Sequence, residues 1–381
     1  MTTIAPADDI QTKATPQSHL LSKNPALDAD EPHAPSTTTN SFKDVPEESA
    51  NKEDPLVPAG PLKVPFPHPL PHCTPVAQPE LTPEQTKKYE DLLNIVQAWT
   101  EIPVKSGRWA KKEPITADEK LWLTKECLLR YLRATKWSAT EAPKRLLATL
   151  TWRREYGLYT FTPDYISPEN ETGKQVILGF DNDARPCLYL NPSKQNTTKS
   201  DRQLHHLVFM LERVIDLMVP GQESTALLIN FKETGSGGQS GPSVGQGKET
   251  LNILQGHYPE RLGRALISEL PWYITTFFKF ISPFIDPVTK SKMKFNEPLT
   301  EHVPAPQLQT HYGGAAEFEY HHDVYWPALN KLCEERRKAY RERWVAAGEK
   351  IGASEFYLRG GTDDSTTAVI NATAGIEKLA V

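Results

Sequence analysis

The stretch TALLINFKE at residues 225–233 limits the fold of this chain more than any other feature. Its first seven positions are almost continuously apolar, which is typical of a strand that is buried on both faces of a sheet. Helical periodicity precedes it at residues 200–219 and follows it at 247–258, and another apolar strand pattern occupies 264–270. Strands that alternate with helices predict an α/β fold with parallel strand pairs.

The chain ahead of the sheet has a different pattern. Residues 82–157 contain three segments with apolar residues at helical spacing, which predict a small all-helical lobe. Thr82 and Thr116 stand where N-caps are expected, and Ser138 with Glu141 three residues later has the spacing of a capping box.

Composition divides the chain further. Residues 1–80 are rich in proline, serine, threonine and acids, and they contain too few large apolar side chains to offset the entropy of ordering. We therefore predict a disordered Pro-rich arm at 1–80 and a helical N-terminal lobe at 81–160. An α/β domain is predicted at 161–322, followed by a C-terminal helix and a mobile tail at 323–381.

Charge and cysteine content exclude several classes of protein. A net charge of −5 and a pI of about 6.2 argue against nucleic-acid binding and against a membrane contact that rests on a polybasic patch. The four cysteines are far apart and form no CxxC, which argues against a disulfide framework or a zinc site. The N-terminus has no signal-peptide pattern, and no window is apolar enough to span a membrane. A cytoplasmic protein is predicted.

The sequence contains no complete catalytic motif of the kinds considered below. In GGQSGPSVGQGKE, five residues separate Gly241 from Gly247–Lys248, whereas a phosphate-binding loop requires four. No HExxH metal motif and no GxSxG nucleophile turn occurs in the chain. We predict neither catalytic residues nor a metal or cofactor. An α/β hydrolase or nucleotide enzyme, and a scaffold acting through the Pro-rich arm, are the alternatives from other classes.

The segment PWYITTFFKFISPFIDP at 271–287 is apolar around its whole circumference. Such a helix is either sandwiched inside the fold, or turns one face to an internal apolar cavity and the other to lipid. In the turn that follows, Asp286 is placed to cap a new helix that carries Thr289 and Lys292 on one face. A hydroxyl and an ammonium near a helix start suit a phosphodiester ligand. Spacing alone supports equally well the alternative that these are charged and polar residues of the solvent-exposed surface.

Three segments resemble the CRAL-TRIO lipid-binding family, and in particular its fungal secretory-type phosphatidylinositol transfer proteins, closest to the branch linked to azole tolerance. They are LLRYLRATKWSATEAPKRLLATLTWRREYG, HYPERLGRALISELPW and FIDPVTKSKMKF…PAPQLQTHYGG. The resemblance covers about residues 115–320. It implies a helical lobe followed by an α/β lobe that holds one lipid in an apolar cavity behind a mobile gate helix. The implied gate carries Trp272, Phe277, Phe278 and Phe284.

The resemblance also implies the headgroup site. Phosphatidylinositol would be held by Glu260 of the YPER motif, Thr289 of DPVT and Lys292, and Glu260 could also pair with Lys292. One departure concerns this site, since the family motif RFLRARKF usually has an arginine where this chain has Thr135. Lys136 beside it is a candidate to compensate.

A second departure concerns the other lipid of the family. In members that also carry phosphatidylcholine, two tyrosines and two Ser/Thr hydroxyls hold its headgroup. Ungapped matching places Ile177 and Leu188 at the tyrosines, and Leu227 and Thr225 at the hydroxyls. Leaving phosphocholine unpaired against apolar side chains is costly, so poor phosphatidylcholine binding is predicted.

These implications together predict transfer and presentation of phosphatidylinositol between membranes. The alternative within the same fold is a carrier of a sterol or another hydrophobic ligand. The expected partners are phosphatidylinositol, a sterol as second candidate, and membrane surfaces in transient, peripheral contact, with no nucleic acid. The expected sites of that contact are the endoplasmic reticulum, lipid droplets or the cell periphery.

Overall fold

The computed structural model describes residues 60–231, 244–270 and 272–362, and all structural statements below refer to these ranges. The side chains at positions 244, 273 and 277 lie outside the description as well. The described residues belong to one compact unit, which begins at Val57.

The N-terminal part of this unit is a helical lobe with one short hairpin. Thr82 and Thr116 both cap their helices through complete capping boxes, as predicted. The third predicted cap differs, because the helix begins at Glu141 with Thr140 as N-cap, and Ser138 only accepts the Glu141 N–H at 3.3 Å. The elements are α1 (Pro83–Gln97), β1 (Glu101–Pro103), β2 (Lys112–Pro114), α2 (Ala117–Trp122), α3 (Lys125–Ala134) and α4 (Glu141–Glu155).

A five-stranded sheet forms the second part of the described chain, and its strands lie side by side in sequence order. The first pair is antiparallel and the remaining pairs are parallel, which confirms the predicted α/β class. The strands are β3 (Gln175–Phe180), β4 (Pro186–Leu190), β5 (Thr225–Asn230), β6 (Leu262–Ser268) and β7 (Met293–Phe295). The continuous apolar pattern that opened the sequence analysis belongs to β5, the central strand.

The helices of this part connect and cover the strands. None of the helices in the described ranges is long and apolar enough to cross a bilayer. They are α5 (Pro163–Asn170), α6 (Asp201–Asp216), α7 (Val244–His257), α8 (Trp272–Ile281), α9 (Pro287–Ser291), α10 (His322–Ala346) and α11 (Glu355–Leu358).

Both ends of the described chain are more ordered than composition indicated. Residues 60–80 were assigned to the disordered arm, but Leu62 forms a bridge with Phe318, and Phe66 and Cys73 are buried. The tail was expected to be mobile, yet its residues 355–358 form α11. Buried side chains hold both segments, Phe66 and Cys73 in the first and Glu355 and Leu358 in the second. The remainder of the arm and tail lies outside the described residues.

A buried ion cluster fastens the C-terminal segment to the helical lobe. Glu355 accepts hydrogen bonds from Arg130 at 2.7 Å and Arg359 at 3.1 Å, and it lies 3.5 Å from Arg261. Burial by itself would raise the pKa of Glu355, but attraction to the three arginines outweighs it and holds that pKa far below its usual range. The carboxylate is therefore ionised in the folded protein and compensates several buried cations.

We expect Glu355→Gln to lower the free energy of unfolding by about 3–5 kcal/mol, because it leaves buried arginines without their counter-charge. Chemical denaturation monitored by circular dichroism measures the difference. The matched control is Glu335→Gln on α10, whose side chain is 62% exposed and lies 4.0 Å from Lys331; its effect should be near zero. Equal stability of the two variants would contradict a fastening role for the cluster.

Candidate functional site

Two of the three predicted headgroup residues meet in a small polar cavity at one end of the sheet. Glu260 and Lys292 both line this space of about 160 Å³, together with Arg133 from α3 and Arg185 from the β3–β4 turn. Arg133 and Lys292, which are 159 positions apart in the sequence, thus converge on one cavity. Thr289 lies on α9 close to this region but does not line the cavity.

The backbone places Glu260 in an uncommon conformation. It lies in the connection from α7 to β6 with φ of +62°, in the left-handed region that disfavours side chains other than glycine. Its carboxylate accepts a hydrogen bond from Arg133 Nε at 2.8 Å. The expected pairing of Glu260 with Lys292 is therefore replaced in this structure by pairing with Arg133, a residue that the sequence analysis did not single out.

Lys292 follows the last turn of α9, where its Nζ donates to the carbonyl oxygen of Leu262 at 2.6 Å. Partial burial lowers the pKa of Lys292, although attraction to Glu260 and Asp286 opposes the shift. In the contacts that the structure describes, this ammonium binds a neutral oxygen rather than a carboxylate. It is consequently placed to neutralise an incoming anion.

Thr289 is engaged at the start of α9. Asp286 caps this helix as predicted, and its carboxylate accepts the Thr289 N–H at 2.8 Å. Burial alone would raise the pKa of Asp286, but hydrogen bonds from the Thr289 hydroxyl and N–H lower it overall. Thr289 is therefore held beside the Asp286 carboxylate through its backbone N–H.

The other cations of the cavity are paired. Arg133 Nη2 lies 3.1 Å from Glu223, and Arg185 donates to Asp181 at 3.0 Å and to Ser224 Oγ at 3.1 Å. This wall of alternating charges can accept an anion near Lys292 and hydroxyl donors near the carboxylates, because both kinds of polar group have solvent-facing atoms.

Thr135, at the position where the family motif usually has an arginine, does not contribute to the cavity. It is the C-cap of α3, and its hydroxyl donates to the carbonyl oxygens of Tyr131 at 2.8 Å and Leu132 at 3.2 Å. Lys136 is exposed, with φ of +52°, and does not line the cavity. The guanidinium in the cavity comes instead from Arg133, two residues before the position that family matching inspects. The sequence signal that could have identified Arg133 is the RxxR spacing, which places Arg130 and Arg133 on one face of α3.

The residues matched to the phosphatidylcholine positions form one row across the sheet. Ile177 pairs with Leu188, and Leu188 pairs with Leu227. Directly paired residues point to the same face, so the three apolar side chains lie next to one another. The fourth position, Thr225, is buried and its hydroxyl donates to the carbonyl oxygen of Pro186 at 2.9 Å. A ligand on this face meets hydrocarbon.

The same face retains some open space under a helix. In the central strand β5, Ala226 and Leu228 are buried on one face, whereas Leu227 and Ile229 on the other face are only partly buried. A central strand is normally covered on both faces, so the partial exposure indicates unfilled volume beside Leu227 and Ile229.

Helix α8 covers this face and presents aromatic side chains on both of its own faces. Ile274 and Phe278 pack in a cluster with Ile229, Ile267 and Met293 of the sheet. Phe278, which was expected with Phe277 to insert into the membrane, thus faces inward instead. The outward face carries Trp272 and Phe280, which are 81% and 62% exposed, and Phe284, in the 3-10 turn that follows α8, is 45% exposed. The side chain of Phe277 lies outside the described residues.

Comparison with known families finds two matches in the expected order. The family model for the CRAL/TRIO N-terminal domain matches residues 88–148, and the model for the CRAL/TRIO domain matches residues 170–314. The first falls on the helical lobe and contains Arg133, and the second includes the whole five-stranded sheet together with Arg185, Glu260 and Lys292 of the candidate cavity.

Curated relatives come from fungi. A CRAL-TRIO domain-containing protein of Schizosaccharomyces pombe is 56% identical over 279 residues, which are 73% of this chain and 27% of that protein. The phosphatidylinositol transfer protein PDR17 of Saccharomyces cerevisiae is 40% identical over 68% of this chain and 77% of its own length. A SEC14 cytosolic factor of Candida glabrata is 28% identical over 50% of this chain and 71% of that protein. The chain therefore spans about a quarter of the first relative and most of the other two.

Proposed function

Because the chain belongs to the CRAL/TRIO family, we propose that it binds phosphatidylinositol and transfers it between membranes. The observation that carries the proposal is the convergence of Glu260, Lys292 and Arg133 on one polar cavity at the end of an apolar sheet face. The relative that is 40% identical is named a phosphatidylinositol transfer protein, which supports the same ligand. In this proposal the protein works by binding alone and carries out no covalent chemistry.

The charges assign a part of the headgroup to each residue. Lys292 would bind the phosphate, since its ammonium contacts only a carbonyl oxygen among the described contacts. Glu260 would accept hydrogen bonds from inositol hydroxyls, in exchange for or in addition to its bond with Arg133. Thr289 would supply a further hydroxyl from the first turn of α9. Hydrogen bonds to charged groups are stronger than neutral ones, so this set favours a polyhydroxylated phosphodiester.

The acyl chains would lie on the face that contains Ile177, Leu188 and Leu227, beneath α8. Movement of α8 away from the sheet would be required for a lipid to enter or leave, because Ile274 and Phe278 close the face in this structure. The outward aromatic side chains of α8 would meet the bilayer during that step. We infer a transient, peripheral contact, with the endoplasmic reticulum, lipid droplets and the cell periphery as its predicted sites.

A second candidate ligand is a sterol. The apolar row across β3, β4 and β5 offers no side-chain hydroxyl to phosphocholine, and the buried hydroxyl of Thr225 already donates to the backbone. A rigid, largely hydrocarbon ligand has few polar groups that would lose hydrogen bonds on such a face. This favours a sterol over phosphatidylcholine as any second cargo.

We expect the double variant Glu260→Ala with Lys292→Ala to abolish phosphatidylinositol transfer between vesicles, because it removes both proposed headgroup contacts. Both side chains are partly exposed, so stability should change by only about 1 kcal/mol. The charge-matched control is Glu249→Ala with Lys290→Ala, since both of these residues are exposed and neither lines the cavity. Transfer at the wild-type rate in the first variant would refute the headgroup assignment.

Selectivity gives a second expectation. Each hydroxyl missing from the row removes a hydrogen bond worth roughly 0.5–1.5 kcal/mol, so three missing hydroxyls should weaken phosphatidylcholine binding about a hundredfold relative to phosphatidylinositol. Competitive loading from vesicles with labelled phosphatidylinositol, phosphatidylcholine and sterol measures the ratio. Leu227→Ser should raise phosphatidylcholine retention, whereas Leu227→Ala, which adds space without a hydroxyl, should not. Comparable loading of both phospholipids into the wild-type protein would contradict the assignment of the row.

The gate gives a third expectation. Trp272→Ala with Phe280→Ala should reduce binding to uncharged phosphatidylcholine vesicles about tenfold or more, because two large exposed aromatic side chains no longer enter the interface. Vesicle flotation measures the bound fraction, and added salt should have little effect on it. The control Val324→Ala with Val345→Ala also removes exposed apolar side chains, at 40% and 52% exposure, but on α10. If both double variants bound equally, α8 would not be the apolar membrane contact.

A further inference from the structure

An exposed tryptophan stands at the tip of the hairpin formed by β1 and β2. Trp109 is 87% exposed, the highest exposure of any large apolar side chain in the described residues. Its ring contacts the Arg108 guanidinium, which lies 5.2 Å from the ring centroid. A side chain so exposed contributes little to folding, and the hairpin lies in the helical lobe, outside the cavity and α8.

The tip is also basic. Residues 104–112 contain Lys105, Arg108, Lys111 and Lys112 and no acidic residue, and all four cations are exposed. Lys111 forms an ion pair with Glu113 at 3.0 Å. The overall charge of −5 conceals this local concentration of positive charge.

Residues of α4 hold the base of the hairpin, so its tip projects into solvent. Arg154 of α4 donates to the carbonyl oxygens of Ile102 at 2.9 Å and Pro114 at 2.8 Å, one on each strand. The backbone N–H of Ser106 in the loop donates to the Glu155 carboxylate at 3.0 Å. The exposure of Trp109 is therefore a property of an anchored element.

We propose that this hairpin tip docks on the surface of anionic membranes. Tryptophan favours the headgroup level of a bilayer, and each lysine or arginine near an anionic surface strengthens binding by about fivefold. A protein partner fits less well, since lysine is depleted in protein interfaces and the tip has no other large apolar side chain to form a dry centre. A single-stranded nucleic acid would require a groove with several stacking rings, whereas the tip presents one.

This surface is separate from the gate. Helix α4 contacts both regions, at different points along its length. Near the gate, Arg145 of α4 donates to the backbone carbonyl oxygens of Gln255 and Gly256, and the Gln255 side chain donates to the carbonyl oxygen of Phe284. Arg154 of the same helix holds the hairpin, nine residues further along, which corresponds to about 14 Å of helix. The hairpin would thus give the protein a second, charge-selective membrane contact, independent of which lipid the cavity holds.

Vesicle flotation of the full chain tests the proposal, with phosphatidylcholine vesicles and with vesicles that also contain phosphatidylserine. Lys105→Ala with Lys112→Ala should lower binding to the anionic vesicles by roughly tenfold or more and leave binding to the neutral vesicles unchanged. Trp109→Ala should lower binding to the anionic vesicles severalfold. The charge-matched control is Lys331→Ala with Lys338→Ala, whose side chains are 76% and 77% exposed on α10; it should bind like the wild type.

Unchanged binding of the hairpin variants to anionic vesicles would overturn the proposal, and so would equal losses in the hairpin and α10 variants. Fluorescence anisotropy with a single-stranded oligonucleotide addresses the competing partner. If the hairpin variants lost oligonucleotide binding but kept vesicle binding, the surface would be a nucleic-acid site. The variant Glu260→Ala with Lys292→Ala should keep the full preference for anionic vesicles, so failure of the transfer proposal and failure of the hairpin proposal give different results.

Discussion

A chain of alternating charges connects the far C-terminal segment to the candidate cavity, and the arrangement of the site depends on it. Glu355 binds Arg130, Arg130 also binds Glu223 at 2.8 Å, Glu223 binds Arg133, and Arg133 binds Glu260. The guanidinium group makes this possible, because its planar set of donors can bridge two carboxylates at once. Exposure rises along the chain, from 4% and 7% at the first pair to 25% and 34% at the last. The buried end fixes the position of α3, and the exposed end is left for a ligand.

That arrangement fits a carrier, which must release its cargo as well as bind it. The polar groups of the cavity already bond to one another and to the backbone, so part of what a headgroup would gain comes from displacing existing hydrogen bonds. In the proposed function Arg133 would share or give up Glu260, whereas Lys292, whose ammonium has three donors, could keep the carbonyl oxygen of Leu262. The net gain is smaller than the number of contacts indicates. In the proposed function, the apolar face beneath α8 would supply the non-directional part of the binding, and the charged groups would select the headgroup.

Much of this could be predicted from the sequence, and the failures have physical causes. The pattern of β5 and the caps at Thr82 and Thr116 are local signals, and they predicted the correct class and helix starts. Arg133 was missed because its partner Glu260 is 127 residues away and no local pattern records such a pairing. The facing of α8 could not be predicted either, since a helix that is apolar on all sides has no periodicity to orient it. The residue-by-residue roles in the headgroup and cavity sites stay predictions.

With the binding role proposed for Glu260, its backbone conformation would place stability and binding in opposition. With φ of +62°, this position favours glycine or asparagine, because a longer side chain there costs of the order of 1 kcal/mol of conformational free energy. A collection of variants selected only for heat resistance would therefore drift toward glycine at this position and lose the carboxylate. Selection for cargo binding would restore it. The glutamate thus marks a place where a thermally optimised form of this protein and a working form have different sequences.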